Sequence, residues 1–233
     1  MERQTISQSR EFFAKLAADT KASVVSVLCG LKQTAALVKI NSQGQEITGL
    51  YRPEHGVRIS LDPRIPKPQE LKRDIAYHLV DSALGWNLSA PVKQLTLGPG
   101  DSGVVRPYWH QAQSLPVFDH HLDERVGFWK KVAVLDYCCG VVDRNLNDVL
   151  LVDGEILVID SGLSFVEGKN FTVQNSFIRD QLQGQPLGEE IVHDLAGLAT
   201  LDLMYKLEDL VPSSSISSLI QRMRNLVESQ VII

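Results

Sequence analysis

The sequence predicts an α+β fold in two parts, an antiparallel sheet first and mainly helices after it. Three observations predict it. Three short strand-like runs, Ser23 to Cys29, Thr34 to Ile40 and Glu46 to Tyr51, follow one another across Gly-containing turns, the pattern of an antiparallel meander. The stretch Val132-Ala133-Val134-Leu135-Asp136-Tyr137-Cys138-Cys139 is apolar nearly all round, which marks a buried helix. Asp153-Gly154 lies between the apolar runs Val149 to Val152 and Ile156 to Ile159, the signature of a hairpin closed by a type I′ turn.

The chain has 233 residues, 44% of them hydrophobic and 22% charged, which is ordinary for a globular protein and excludes general disorder. A core of that size needs no disulfide or structural metal. The net charge of −5 and the lack of a Lys/Arg cluster argue against nucleic acid as a partner. Cys29, Cys138 and Cys139 are odd in number and show no C-x-x-C spacing, so they read as small buried apolar residues of a reducing compartment. The N-terminus has no apolar core of a signal peptide, and no run approaches a membrane span, so a soluble cytoplasmic protein is expected.

Taken in order, Ser7 to Thr20 places Phe12, Phe13, Leu16 and Ala17 at helical spacing. The three strands follow, with Gly30 in the first turn. Residues 54–68 hold three prolines and read as a loop. Gln69 to Leu84 is a helix with Leu71, Ile75, Leu79 and Val80 on one face and Gly85 as its stop. Trp86 to Gly100 reads as loop, and Ser102 to Trp109 as a strand leading into a connector. There Tyr108 and Trp109 line a pocket or serve as packing. His110, His120 and His121 surround a loop without completing a metal-ligand spacing. The helix from Asp123 to Cys139, with Asp123 as its cap, ends at Gly140. Asp136 on that helix is expected to accept hydrogen bonds from nearby backbone, because an unpaired buried carboxylate is costly. Two more helices, Glu189 to Leu207 and Ser217 to Val231, complete a single domain over 1–233, with an N-terminal lobe over 1–109 and a C-terminal lobe over 110–233.

The hairpin carries the chemistry. Counting outward from Asp153-Gly154 sets Asp148 opposite the end that holds Ile159 and Asp160, and facing residues lie roughly 4.5–5.5 Å apart. Two carboxylates held that close repel unless a cation lies between them. Hard divalent cations take oxygen ligands, and Mg²⁺ commonly uses one or two carboxylates with substrate phosphates. A third acid, Asp143, precedes them by one loop. One acid to orient a hydroxyl and two to hold a metal is the layout phosphoryl transfer needs, against the plainer reading of a surface hairpin with solvated acids.

The motif Asp143-Arg144-x-x-x-Asp148-Val-Leu-Leu, followed by Ile159-Asp160-Ser161-Gly162-Leu163-Ser164-Phe165, resembles the catalytic and metal loops of atypical protein kinases. It is similar to the phosphatidylinositol 3-/4-kinase-like families, including uncharacterised bacterial members, and more distantly to HipA-type kinases. The resemblance implies a bilobal kinase-like fold over roughly positions 24–165 and ATP with Mg²⁺ or Mn²⁺ as cofactors. It implies Asp143 and Arg144 as the catalytic pair, Asp148 and Asp160 as metal ligands, and a hydroxyl-bearing acceptor on a protein, small molecule or lipid. The family has Asn where Asp148 stands and His where Asn145 stands; an acid at the former place resembles the secretory-pathway kinases that favour Mn²⁺. Arg52, in Tyr51-Arg52-Pro53, occupies the place of a nucleotide-binding lysine, and Asp74 that of its glutamate partner. One side chain is longer and the other shorter, so an ion pair of the same span is expected. Gly30 corresponds to the phosphate-covering turn, where a plain hairpin turn explains it equally well. Lys39 is a second phosphate-binding candidate or a solvated strand lysine. The segment from Asn170 to Leu187 is where an acceptor would bind. A pseudokinase that binds nucleotide without turnover, and a nucleotidyl transferase using the same site, are the alternatives.

Overall fold

A computed structural model describes residues 4–17, 20–29, 34–56, 65, 69–114, 125–167, 177–198 and 201–233. Helix α1 (Ile6–Lys15) starts at a capping box in which Thr5 and Gln8 satisfy each other's backbone. Strands β1 (Ala22–Cys29), β2 (Thr34–Ser42) and β3 (Gln45–Pro53) form the expected meander. After α2 (Gln69–Ala83) come β4 (Lys93–Gly98) and β5 (Asp101–Pro107), giving one antiparallel sheet in the order β1-β2-β3-β5-β4. β4 is a correction: the stretch read as loop contains an edge strand, with Pro91 before it and Gly98 closing it ahead of Pro99-Gly100.

Alternation gives this sheet two different faces. Ala36, Val38, Ile40, Ile47, Tyr51, Leu95 and Val105 face Phe12 and Phe13 of α1 and Leu16 just after it. On the other face Arg52 pairs with Val104, and Leu50 with Arg106. Helix α2 packs there, its Leu71 and Ile75 against Val92 and Val104. The register makes Arg52 and Arg106 diagonal neighbours, roughly 7–8 Å apart at the backbone and within reach of one partner. Gly103 lets β3 and β5 lie this close, because a β-carbon there would meet the Arg52 carbonyl oxygen and come within 2.8 Å of the Pro53 α-carbon. Gly103→Ala is therefore expected to cost about 1–3 kcal/mol of stability by overpacking, read as a lower denaturant midpoint at unchanged slope.

A short β6 (Gln113–Ser114) precedes α3 (Val126–Cys139). The start expected at Asp123 lies outside the described residues; the helix is preceded by Arg125 and closes at Gly140 with a left-handed φ of 63°. It is buried as predicted from Val132 to Cys139, and shares one core with α5 (Glu189–Gly197), α6 (Leu201–Glu208) and α7 (Ser213–Ser229). The single helix read over 189–207 is two, with Gly197 ending the first. Helix α4 (Phe177–Leu182) falls within the stretch assigned to acceptor binding. Arg222 of α7 ties the end of α3 in place, donating from Nε to the Cys138 carbonyl at 2.8 Å and from Nη1 to Val166 at 3.1 Å.

Strands β7 (Val149–Val152) and β8 (Glu155–Val158) pair from Val149↔Val158 to Val152↔Glu155. Asp153 and Gly154 turn the chain at φ 52° and 86°, the two positive values a type I′ turn requires. Ile6 of α1 packs against Trp109 and against Val152 and Leu157 of this hairpin, while Trp109 donates to Ser9 at 3.2 Å. Trp109 is thus packing, 4% exposed. The fold is α+β, a sheet lobe followed by a helical one. No helix among the described residues is long and apolar enough to cross a membrane.

Candidate functional site

The open end of the hairpin lies where the sequence put it. Ile159 donates its N–H to the Asp148 carbonyl at 2.7 Å, so Asp148 and Asp160 leave the two strands side by side. The turn before β7 is organised by Asn145, whose side chain accepts from the Asn147 N–H at 2.9 Å and donates to Asp148 Oδ2 at 2.6 Å. Asp148 Oδ2 also accepts from the Asn145 N–H at 3.1 Å. Asp143 stands half-buried at the head of the same loop. Burial lifts the Asp148 carboxyl to about 6, with the Asp160 charge adding to it and the Asn145 N–H and Arg144 opposing. For Asp160 burial also pushes upward, but Arg52 and Arg106 outweigh it and hold the group below the ordinary carboxylate range. Asp160 sits at φ 57°, an uncommon conformation outside glycine that aims its side chain into the cleft, 54% exposed.

Arg52, Asp74, Arg106 and Asp160 meet above this pair. Arg52 donates from Nη1 to Asp160 Oδ1 at 2.9 Å and from Nη2 to Asp74 Oδ2. The expected Arg52–Asp74 pair is therefore formed. Asp74 Oδ2 also accepts from Arg106 Nη2 at 3.3 Å, and its Oδ1 from the Ser161 N–H at 3.1 Å. Arg106 stands 3.9 Å from Asp160 Oδ1. The side chains of Arg52, Asp74 and Arg106 are all under 10% exposed, at 5%, 8% and 9%. Burial lowers the Arg106 pKa, and the like charge of Arg52 adds to this. Sequence reasoning missed Arg106. Its one signal was a cation following Val104-Val105 in an otherwise apolar strand, and its meaning depends on the β3–β5 register.

Arg144 lies beneath the loop, with no side-chain exposure. Its guanidinium grips Asp136 with two bonds of 3.0 Å and donates to the Ile159 carbonyl at 2.7 Å and Ser161 Oγ at 2.8 Å. Tyr77 completes the set, donating to Asp136 at 2.8 Å. The backbone donors expected for Asp136 are thus corrected to side chains, Arg144 and Tyr77. Gly162 follows because a β-carbon there would come within 2.9 Å of the Glu70 carbonyl at the start of α2, which explains the Asp-x-Gly spacing. Lys39 does not join the group; its Nζ lies 2.6 Å from Glu46 Oε1. Tyr108 stacks edge-on with His110 at 4.8 Å. Gly30, His120 and His121 lie outside the described residues.

Among the described residues no group of three or more His, Cys, Asp or Glu gathers as a metal cage. Asp148 and Asp160 supply an all-oxygen pair, and Arg52 Nε is a buried donor with no partner among the described residues. Both features suit a phosphate-bearing ligand whose own oxygens complete the shell of a hard cation.

No protein-family model matches the chain, and a search among curated proteins finds no sequence match. Solved structures do match it in fold. The Golgi casein kinase with Mn/ADP bound aligns over 98% of this chain and 76% of that one, at 11% identity and a TM-score of 0.55. Hydra Fam20 with sugar aligns over 94% and 87%, at 12% identity and 0.53. The Helicobacter pylori proinflammatory kinase CtkA aligns over 91% and 93%, at 9% identity and 0.51. The chain has a kinase-like fold.

Proposed function

We propose that this protein is an ATP- and divalent-metal-dependent phosphotransferase acting on a hydroxyl acceptor. The observation that carries the reading is the convergence of Arg52, Asp74 and Asp160 from three separate elements beside Asp148. In this reading the chain is one domain whose sheet lobe ends near residue 109, and the Asp143-to-Phe165 motif, which resembles that of the phosphatidylinositol 3-/4-kinase-like and secretory-pathway groups, supports it. Asp148 and Asp160 would hold Mg²⁺ or Mn²⁺, which supplies charge neutralisation to the phosphates. Arg52, positioned by Asp74 in the unliganded cleft, would add a second positive charge. Leu37 and Leu50, paired on the same sheet face as Arg52, offer a half-buried apolar seat for the base. Gly30 would cover the phosphates, and Lys39, two residues beyond Leu37 on that face, is the outermost candidate cation. Asp143 would orient the acceptor hydroxyl and take its proton as the oxygen bonds to the γ-phosphorus and the bond to the β-phosphate breaks. Arg144 acts through Asp136, Ile159 and Ser161, fixing the loop that carries the acids. Catalysis of this kind is positioning and electrostatics. Cys138 and Cys139, buried and unbridged, support a cytoplasmic setting.

Two measurements test this. An ATP analogue with Mn²⁺ at about 100 times its Kd is expected to stabilise the fold by about 2.7 kcal/mol, several degrees in Tm for a chain of this size. No shift would remove the nucleotide reading. Asp143→Asn is then expected to retain that shift and lose transfer of label from ATP to any acceptor in a lysate. A pseudokinase is the second reading, favoured by Arg52 Nη1 lying on the Asp160 oxygen that a metal would take. Binding without transfer by the unaltered protein would establish it, and mass spectrometry of modified products separates phosphoryl from nucleotidyl transfer.

Metal binding is expected to depend on pH through Asp148, whose carboxyl titrates at about 6. Below that value a proton competes with the cation, so the Mn²⁺-dependent shift in Tm should grow between roughly pH 5 and 7 and then level off. In Asp148→Asn the rise over that window should disappear; a rise of the same size would assign it to another group.

A further inference from the structure

The two guanidiniums of the cleft do different things. Arg52 hydrogen-bonds both Asp160 and Asp74, whereas Arg106, among the described residues, hydrogen-bonds Asp74 and stands 3.9 Å from Asp160 Oδ1. A divalent cation on Asp160 would compete with Arg52 Nη1 for Oδ1, and two cations on one carboxylate oxygen repel. Arg52 also keeps Nε buried without a partner among the described residues, so its present pose leaves one donor unspent. Turning toward a phosphate satisfies that donor, but it takes Arg52 away from Asp74. Asp74 is 6% exposed, and a buried carboxylate stripped of its cation is strongly destabilising.

Arg106 is placed to meet that demand. It reaches the same oxygen as Arg52, Asp74 Oδ2, and the β3–β5 register sets its position independently of any ligand. Asp74 Oδ1 meanwhile holds the Ser161 N–H, directly after Asp160. We propose that Arg106 is a positioning residue that keeps Asp74 paired when Arg52 moves onto the phosphates, and so keeps the Asp160-Ser161 loop in place in the nucleotide-bound state. The proposal rests on the nucleotide and metal reading above. Arg106 then governs affinity for a ligand it does not touch.

The experiment is calorimetric titration of ADP with Mn²⁺ into the full chain and its variants. Wild type is expected to bind. Arg106→Gln and Arg106→Leu, made together so that a folding failure in one leaves the other, should bind roughly tenfold more weakly. Arg106→Lys, which keeps a cation for Asp74, should recover part of the loss. In an Asp74→Asn background, Arg106→Gln should change affinity by less than about twofold, since the charge it serves is gone. A merely structural role predicts full additivity there, and that result overturns the proposal. Wild-type affinity in Arg106→Gln, or a Lys variant no better than Gln, overturns it too while leaving the nucleotide reading intact. Absence of binding by wild type removes the nucleotide reading and this inference with it.

Discussion

Asp160→Asn is expected to lower affinity for ADP with Mn²⁺ by at least about 100-fold, beyond the 10–100-fold typical of losing a residue that only supports a metal ligand. Asparagine is the informative choice. Residue 160 sits at φ 57°, a left-handed conformation that Asn tolerates and that costs alanine about 1–2 kcal/mol. The amide oxygen can still accept from the Arg52 guanidinium, so the ion pair becomes a charge–dipole hydrogen bond and the negative charge available to a cation is lost. Asp160 is 54% exposed at its side chain, so the fold itself should change little in Tm. Titration with and without Mn²⁺ checks the result. Metal-dependent binding equal to wild type would remove Asp160 from the metal site.

The second large effect is on stability. Arg144→Met should cost about 3–5 kcal/mol, because it strands Asp136, 1% exposed, with Tyr77 as its remaining donor. For a chain of this length that is a fall of roughly 10 °C in Tm, with a corresponding loss of denaturant midpoint. The partner change discriminates between mechanisms. Arg144→Met with Asp136→Leu should regain most of the stability, since replacing both members of a buried pair by apolar groups is often neutral. Activity should not return with it, because Ile159 and Ser161 would still lack the guanidinium that fixes them beside Asp160. A double variant as unstable as the single one would show that the loss comes from packing rather than from a stranded charge.

The parts of the site that were legible in the sequence are those set by local rules. Asp153-Gly154 between apolar runs dictates the turn, and strand pairing then sets Asp148 and Asp160 at one end. The opposite length changes at Arg52 and Asp74 foretold their contact, because the pair must span a distance fixed by a strand and a helix. The rest depends on non-local register. Arg106 acquires its role only when β5 settles beside β3 with Leu50 opposite, and no spacing within Ser102 to Trp109 contains that information. Strand β4 was obscured because it is an edge strand that follows Pro91 and closes at Gly98 ahead of Pro99-Gly100, and edge strands tolerate such residues. Asp136 was rightly read as needing donors, but those donors come from 59 positions upstream, at Tyr77, and 8 downstream, at Arg144.

Helix α1 has a mechanical consequence. Its first turn is seated on the β7–β8 hairpin through Ile6, and its later turns on the back of the sheet through Phe12 and Phe13. A cleft that opened by simple separation of the two halves would have to strip one of these apolar seats bare. Rotation about the helix as a pivot leaves both seated. Any opening of the cleft should accordingly follow a twisting motion, the sheet swivelling on that axle.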